Sequence, residues 1–104
     1  MNTIFSFSLS PNGARQTVML PAHCRILSAG VQGTDLVIWV LHNTEHPLMP
    51  YEIAVCSTGG FAVEESDNIS WQFIDTVQMP YGLVWHVFVK IDFDELTRLA
   101  EVAV

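Results

Sequence analysis

The chain has 104 residues, 50% of them hydrophobic and 14% charged, which suits one folded domain and excludes a disordered tail. Eleven acidic residues outnumber four basic ones, and the net charge of -7 disfavours non-specific contact with DNA, RNA or anionic membranes. The N-terminal residues lack the basic and apolar regions of a signal peptide, and no window reaches the roughly 18 apolar residues of a membrane helix. We therefore expect a cytoplasmic protein.

The first two segments predict strands separated by a turn. Apolar side chains alternate with polar ones over residues 3–9, and this period of two is typical of a half-buried strand. Residues 10–13 read Ser-Pro-Asn-Gly, a composition that favours a turn. A second short strand is expected over residues 16–20, where Pro21 ends it.

Two apolar runs, residues 24–31 and 36–41, flank the sequence Gln-Gly-Thr-Asp at residues 32–35. This spacing and turn composition predict a hairpin. The second run is apolar on both faces, so we expect it to be a central strand that is covered on both sides.

The second half of the chain repeats this alternation of loops and strands. We expect a polar loop over residues 42–50, a strand over 51–56, a break at 58–60, and an exposed acidic loop within 61–70. Residues 71–79 and 83–91 predict a terminal hairpin around Pro80-Tyr81-Gly82.

The last residues follow a different pattern. Asp92 can cap a helix, with Glu95 three residues later as its reciprocal partner. Apolar side chains then recur at helical spacing, at Phe93, Leu96, Leu99 and Val102. We expect a short C-terminal helix over residues 93–102, packed against the sheet.

These elements predict a mainly β fold in a single domain. We expect a compact antiparallel sandwich or open barrel of about six strands, formed by residues 1–91. Residues 92–104 would add the C-terminal helix.

Five segments carry a resemblance, at residues 4–7, 16–21, 25–28, 31–32 and 77–88, and the last is the most specific because it ends in Gly-Leu-Val-Trp-His-Val-Phe. These segments resemble a family of small uncharacterised proteins encoded by tailed bacteriophages and prophages. The resemblance implies a phage accessory protein that acts in the cytoplasm of a bacterial host. Such proteins often bind and inhibit a host defence component. Family members tend to stop soon after this string, so the resemblance marks the following segment as a departure.

Histidine and cysteine offer the candidate chemistry. His42 and His46 are four residues apart, but the flanking prolines indicate a polar loop with solvated imidazoles, so we expect no metal and no cofactor. These two histidines are the candidate ligands if a metal binds, together with Cys56 or Glu52 if one of these folds nearby. The sequence leaves open whether Cys24 and Cys56 pair, and whether Cys56 has a histidine beside it.

The remaining polar residues do not form a constellation that satisfies a catalytic mechanism, and we expect a protein that is not an enzyme. His86 is expected to be a hydrogen-bonded histidine of the core or of an interface. The lack of a Walker sequence and the few basic residues argue against phosphate chemistry.

The expected contact surface combines acidic and aromatic residues. Exposed aromatic side chains beside acids are plausible interface anchors, and we expect Tyr81 and Trp71 to be partly exposed. The complete set of expected contacts is Glu64, Glu65, Asp67, Met49, Tyr51, Tyr81 and Trp71.

Three functions remain open from the sequence. The first is a non-enzymatic accessory protein that binds a host protein. The second is a homo-oligomer that sequesters a small ligand, and the third is a virion or assembly component whose strand edge pairs with copies of itself.

Overall fold

The structure is a computed structural model that describes residues 1–11, 15–60, 62–64 and 69–92. These residues form seven β-strands and one short 3-10 turn at Pro80–Gly82. The strands are β1 (Asn2–Ser8), β2 (Arg15–Pro21), β3 (Arg25–Gln32), β4 (Asp35–Asn43), β5 (Leu48–Ser57), β6 (Ile69–Gln78) and β7 (Val84–Asp92).

The strands build two antiparallel sheets. The first sheet has the order β1-β4-β3, and the second has the order β2-β5-β7-β6. The mainly β, antiparallel architecture is therefore confirmed, with seven strands where about six were expected. The two sheets do not close into a barrel. The helix expected over residues 93–102 lies outside the described residues.

Both predicted hairpins are present. Gln32 pairs with Asp35 across the β3–β4 turn, where Gly33 has a φ of 65° that only glycine adopts without strain. The β6–β7 connection is the turn at Pro80–Gly82, and Tyr81 there has a φ of 68°. Local turn chemistry therefore fixed these two strand pairs.

A single apolar core lies between the sheets. Its buried members come from both, so neither sheet could bury its inner face alone. The fully buried side chains at its centre are Leu20, Leu36, Ile38, Val40, Ile53, Val55 and Val87.

Strand β4 is central in its sheet, as its apolar composition predicts. On its outer face Val37 is buried, whereas Trp39 and Leu41 are only half-buried. The expected loop at residues 42–50 is shorter than predicted, because β4 continues to Asn43 and β5 begins at Leu48.

The longer β4 strand places His42 within the sheet instead of in the loop. This histidine continues the inward-facing alternation of β4, and its side chain is only 8% exposed. The expectation of a solvated imidazole in a loop is wrong for this residue. Pro47 lies beyond the end of β4 at Asn43, so it does not prevent His42 from joining the strand.

A second, smaller apolar cluster covers the outer face of the second sheet. Trp71 is 5% exposed there and packs with Ala54 and Cys56. Its indole Nε1 donates a hydrogen bond to the carbonyl of Glu64 at 3.0 Å, and the Arg15 guanidinium lies 5.1 Å from the ring centroid. The expectation that Trp71 is partly exposed is wrong, because the segment that carries Glu64 folds over it.

Within the described ranges, no helix has the length and apolar character needed to cross a membrane.

Candidate binding cleft

A cleft of about 800 Å³ has walls from both sheets. The first sheet contributes the start of β3, at residues 23–27. The second contributes residues 49–52, 72–74 and 89–91. The cleft therefore opens where β3 begins and the two sheets separate.

Two neutral side chains meet in this cleft. Burial, with a smaller contribution from the contact with Cys24, raises the pKa of Tyr51 to about 12. Burial also raises the pKa of the Cys24 thiol, although a hydrogen bond with Tyr51 partly opposes this. Both groups are protonated at neutral pH, so the cleft presents a hydroxyl and a thiol and lacks an activated thiolate at Cys24.

The turn that leads into β3 holds one edge of the cleft in place. Ala22 donates a backbone hydrogen bond to the carbonyl of Pro47 at 2.7 Å. His46 Nδ1 lies 2.9 Å from the Ala22 carbonyl, which can only accept, so this nitrogen carries the proton. The rings of His23 and His46 meet edge to face, with centroids 5.5 Å apart.

The charged residues of the cleft include one ion pair. Lys90 Nζ lies 3.2 Å from Oε2 of Glu52, and both residues line the cleft. Both side chains are partly exposed, so the pair contributes little to stability.

The two candidate metal ligands are not brought together. His42 packs against Phe5 and Phe7, whereas His46 contacts His23 and Ala22. In the part of the chain that the structure describes, no group of three or more His, Cys, Asp or Glu residues could hold a metal ion.

The two cysteines are free and lie on different sides of the second sheet. Cys24 packs against the core between the sheets, whereas Cys56 belongs to the outer cluster with Trp71. Burial raises the pKa of the Cys56 thiol. The sheet between them prevents the disulfide that the sequence left open.

His86 is the cross-strand neighbour of Cys56, but its nitrogens are already engaged. Nε2 lies 2.7 Å from the hydroxyl of Thr58, and Nδ1 lies 2.9 Å from the hydroxyl of Thr76. The expected hydrogen bonding of this histidine is confirmed, although its side chain is half-buried and does not belong to the core. A catalytic triad places a carboxylate on the second nitrogen, so this array is better suited to joining strands than to activating a hydroxyl.

Those expected partner contacts that the structure describes lie in separate places. Met49 and Tyr51 line the cleft, Glu64 lies over the outer face beside Trp71, and Tyr81 projects fully exposed from the β6–β7 turn. The exposure of Tyr81 is confirmed. Glu65 and Asp67 lie outside the described residues.

Sequence reasoning did not assign Cys24 or Leu27 to a site. Each lies more than twenty residues from Met49 and Tyr51 along the chain, and only the packing of the two sheets brings them to one cleft. No spacing motif carries that information.

The fold and the cleft define a seven-stranded, two-sheet β domain with an open site between its sheets. Residues 1–98 match the family described as "Domain of unknown function (DUF7352)", and the chain belongs to this family. The match includes residues 89–98, so that stretch after Phe88 is part of the family domain. No curated protein and no solved structure matches the chain.

Proposed function

We propose that this protein is a non-catalytic binding protein whose cleft accepts an apolar segment of a partner protein. The supporting observation is that large apolar side chains remain exposed where the cleft opens. Leu27 is 41% exposed and Phe73 is 54% exposed, and both line the cleft. Exposed apolar groups gathered around a concave site are typical of interaction surfaces.

The groups inside the cleft favour binding over catalysis. Cys24 and Tyr51 are both kept protonated by burial, and the lysine of the cleft is paired with a carboxylate. Such a lining supplies apolar contact and neutral hydrogen bonds, which select a ligand without activating it. The phage resemblance adds the context of a bacterial host, and a host defence protein is the partner that this context favours.

The test compares capture of host proteins by matched variants. The double variant Leu27→Ser/Phe73→Ser removes exposed apolar groups of the cleft. The control Leu83→Ser removes a leucine of comparable exposure that does not line it. We expect the wild type and Leu83→Ser to capture the same host protein and the double variant to lose it.

The captured protein, once purified, provides the quantitative measurement. We expect the double variant to weaken its binding by about tenfold or more, as loss of interface anchors does. Equal binding by both variants, or no specific partner for the wild type, would overturn the proposal. If Tyr81→Ser alone abolished capture, the contact surface would be the β6–β7 turn.

A small organic ligand is the second candidate, because a volume of about 800 Å³ falls within the range of ligand pockets. Native mass spectrometry of protein purified from bacterial cells tests it directly. A retained adduct that disappears in Tyr51→Ala would support this candidate. A bare protein mass, together with flat calorimetric titrations against nucleotides and metal ions, would remove it.

A further inference from the structure

Strand β1 forms a free edge of the first sheet, and none of its residues lines the cleft. Strand β1 has one neighbour, β4, and its seven residue pairs follow in unbroken register. Two large apolar side chains of this strand remain in solvent: Ile4 is 53% exposed and Phe5 is 57% exposed, on opposite faces. The second sheet therefore covers β1 only in part, since Phe7 packs against the core and Phe5 stays largely exposed.

The other edge strands carry features that block pairing with another chain. Strand β2 contains Arg15 and Pro21, β3 has a bulge between Ile26 and Ser28, and β6 has one between Phe73 and Asp75. Charges, prolines and bulges are the devices that protect sheet edges. Among the edge strands of the described residues, β1 alone has none of them, since its sequence is Asn-Thr-Ile-Phe-Ser-Phe-Ser.

The edge of β3 is also occupied. It lies against β6, and the backbone N–H of Ala29 donates to Oδ2 of Asp75 at 3.3 Å. The two sheets thus meet at the β3–β6 side, which leaves β1 as the open edge of the first sheet.

Two backbone hydrogen bonds determine which groups of β1 face outward. Leu9 N–H donates to the carbonyl of Leu36 at 2.8 Å, and Thr44 N–H donates to the carbonyl of Met1 at 3.0 Å. In an antiparallel ladder, every second residue of a strand directs its backbone N–H and C=O groups at the same neighbouring strand. The odd-numbered residues of β1 therefore bond to β4. The N–H and C=O groups of Asn2, Ile4, Ser6 and Ser8 therefore point away from β4, at the free edge.

We propose that β1 pairs antiparallel with β1 of a second copy of this chain, so that the two three-stranded sheets become one. A register centred on Phe5 places Ile4 opposite Ser6 of the second copy and Asn2 opposite Ser8. Each residue whose backbone groups face the free edge then lies opposite such a residue of the second copy. These pairs give about eight inter-chain hydrogen bonds, two from each hydrogen-bonded pair. A strand edge that is complementary to itself fits a two-fold dimer.

The side chains support the same register. Phe5 meets Phe5 of the second copy in a non-hydrogen-bonded pair, where side chains approach most closely. The chain carries a net charge of -7, but residues 2–8 of the edge have no charged side chain. A basic partner would therefore meet no opposite charge on β1, whereas a second uncharged β1 edge fits it. Repulsion between two such chains is long-range and is screened by salt. Dimerisation should therefore strengthen as salt is added, whereas binding of a basic partner would weaken.

The experiment is sedimentation equilibrium of the full chain between about 1 and about 500 μM, where mass action populates a weak dimer. We expect a dimer of twice the 11.6 kDa chain mass, with a lower dissociation constant at higher salt. A monomer at every concentration would overturn the proposal, and so would a dimer that salt dissociates.

Two variants locate the interface. Ser6→Pro removes an outward N–H and leaves the β4 ladder intact, and Ile4→Lys adds a charge to the edge. Each should raise the dimer dissociation constant by about tenfold or more, since Ser6→Pro removes one inter-chain hydrogen bond per copy and Ile4→Lys brings a positive charge from each copy to the interface. Leu83→Lys is the matched control, because Leu83 is 51% exposed and lies outside β1.

Circular dichroism and thermal melting check that each variant is folded. A dimer that persists in both folded edge variants would place the interface elsewhere and overturn the assignment to β1. As a test of register, Phe5→Cys should form a disulfide-linked dimer under mild oxidation, and Tyr81→Cys should not. Failure of Phe5→Cys to cross-link would exclude the register centred on residue 5. None of these outcomes depends on the cleft.

Discussion

The indole ring of Trp39 occupies the space above Gly30 of the neighbouring strand. A Cβ atom at Gly30 would lie 2.7 Å from Cζ3 and 3.2 Å from Cη2 of that ring. The glycine therefore allows Trp39 to lie flat on the outer face of the first sheet, where the side chain is half-buried.

This contact predicts that Gly30→Ala destabilises the protein. The added methyl group must displace a rigid ring, and overpacking of this kind costs about 1–3 kcal/mol. Urea denaturation of the single variants and of Gly30→Ala/Trp39→Leu measures the coupling. We expect the double variant to tolerate the alanine, because the smaller side chain vacates the space. An alanine that costs the same with or without the ring would contradict the prediction.

His42 predicts a stabilising substitution. Neither ring nitrogen has a hydrogen-bond partner within the described structure, although the side chain is 8% exposed and packs 5.6 Å from Phe5, centroid to centroid. Removing buried polar atoms that lack partners removes their desolvation cost. His42→Leu should therefore raise the free energy of unfolding by about 1 kcal/mol.

His46→Leu is the matched control for that change. Its Nδ1 donates to the Ala22 carbonyl, so we expect a loss of about 1 kcal/mol, the net worth of one hydrogen bond. Chemical denaturation of both variants and the wild type in the same buffer provides the measurement. A His42→Leu variant less stable than the wild type would contradict the prediction. The packing of the imidazole would then stabilise the fold by more than its desolvation costs.

Tyr51 predicts a decline in stability at alkaline pH. Burial raises its pKa from 10.0 to about 12, so the unfolded chain releases this proton at lower pH than the folded chain does. Because the folded state then binds more protons, this contribution to stability is complete below pH 10 and is lost as the pH rises towards about 12. Tyr51→Phe should lose less stability between pH 9 and pH 11 or so than the wild type does.

Phenolate absorbance provides a direct measurement of the same ionisation. The wild type should show a transition at about pH 12 that Tyr51→Phe lacks. Tyr81→Phe should retain it. A Tyr51 transition near pH 10 would show that the hydroxyl is hydrated in solution and is not buried in the cleft.

The cysteines predict slow reaction with alkylating reagents. Burial raises the pKa of both thiols, and Cys56 is 8% exposed, so little thiolate is available at about pH 8. Mass spectrometry after iodoacetamide treatment should show both modified far more slowly in the native protein than in denaturant. The fully exposed position in Tyr81→Cys serves as the fast reference. Rapid native labelling of Cys56 would contradict its burial under Trp71.

The strands were predictable because their signals are local. Alternation over residues 3–9, the turn at Gly33 and the turn at Pro80–Gly82 each act within a few residues. Strand boundaries were less predictable, as the extension of β4 to Asn43 shows. The candidate site was predictable only in part: Met49 and Tyr51 line the cleft, but Trp71 is buried and Tyr81 lies elsewhere.

The sequence by itself determined the mainly β character, the turn chemistry and the uncharged character of residues 2–8. Tertiary structure alone decided that β1 is an edge, that Cys24 meets Tyr51, and that His42 is buried beside Phe5. The physical reason is that a period of two distinguishes the faces of a strand without specifying its neighbours. Which face is covered, and which edge stays open, depends on pairing between residues far apart in the chain.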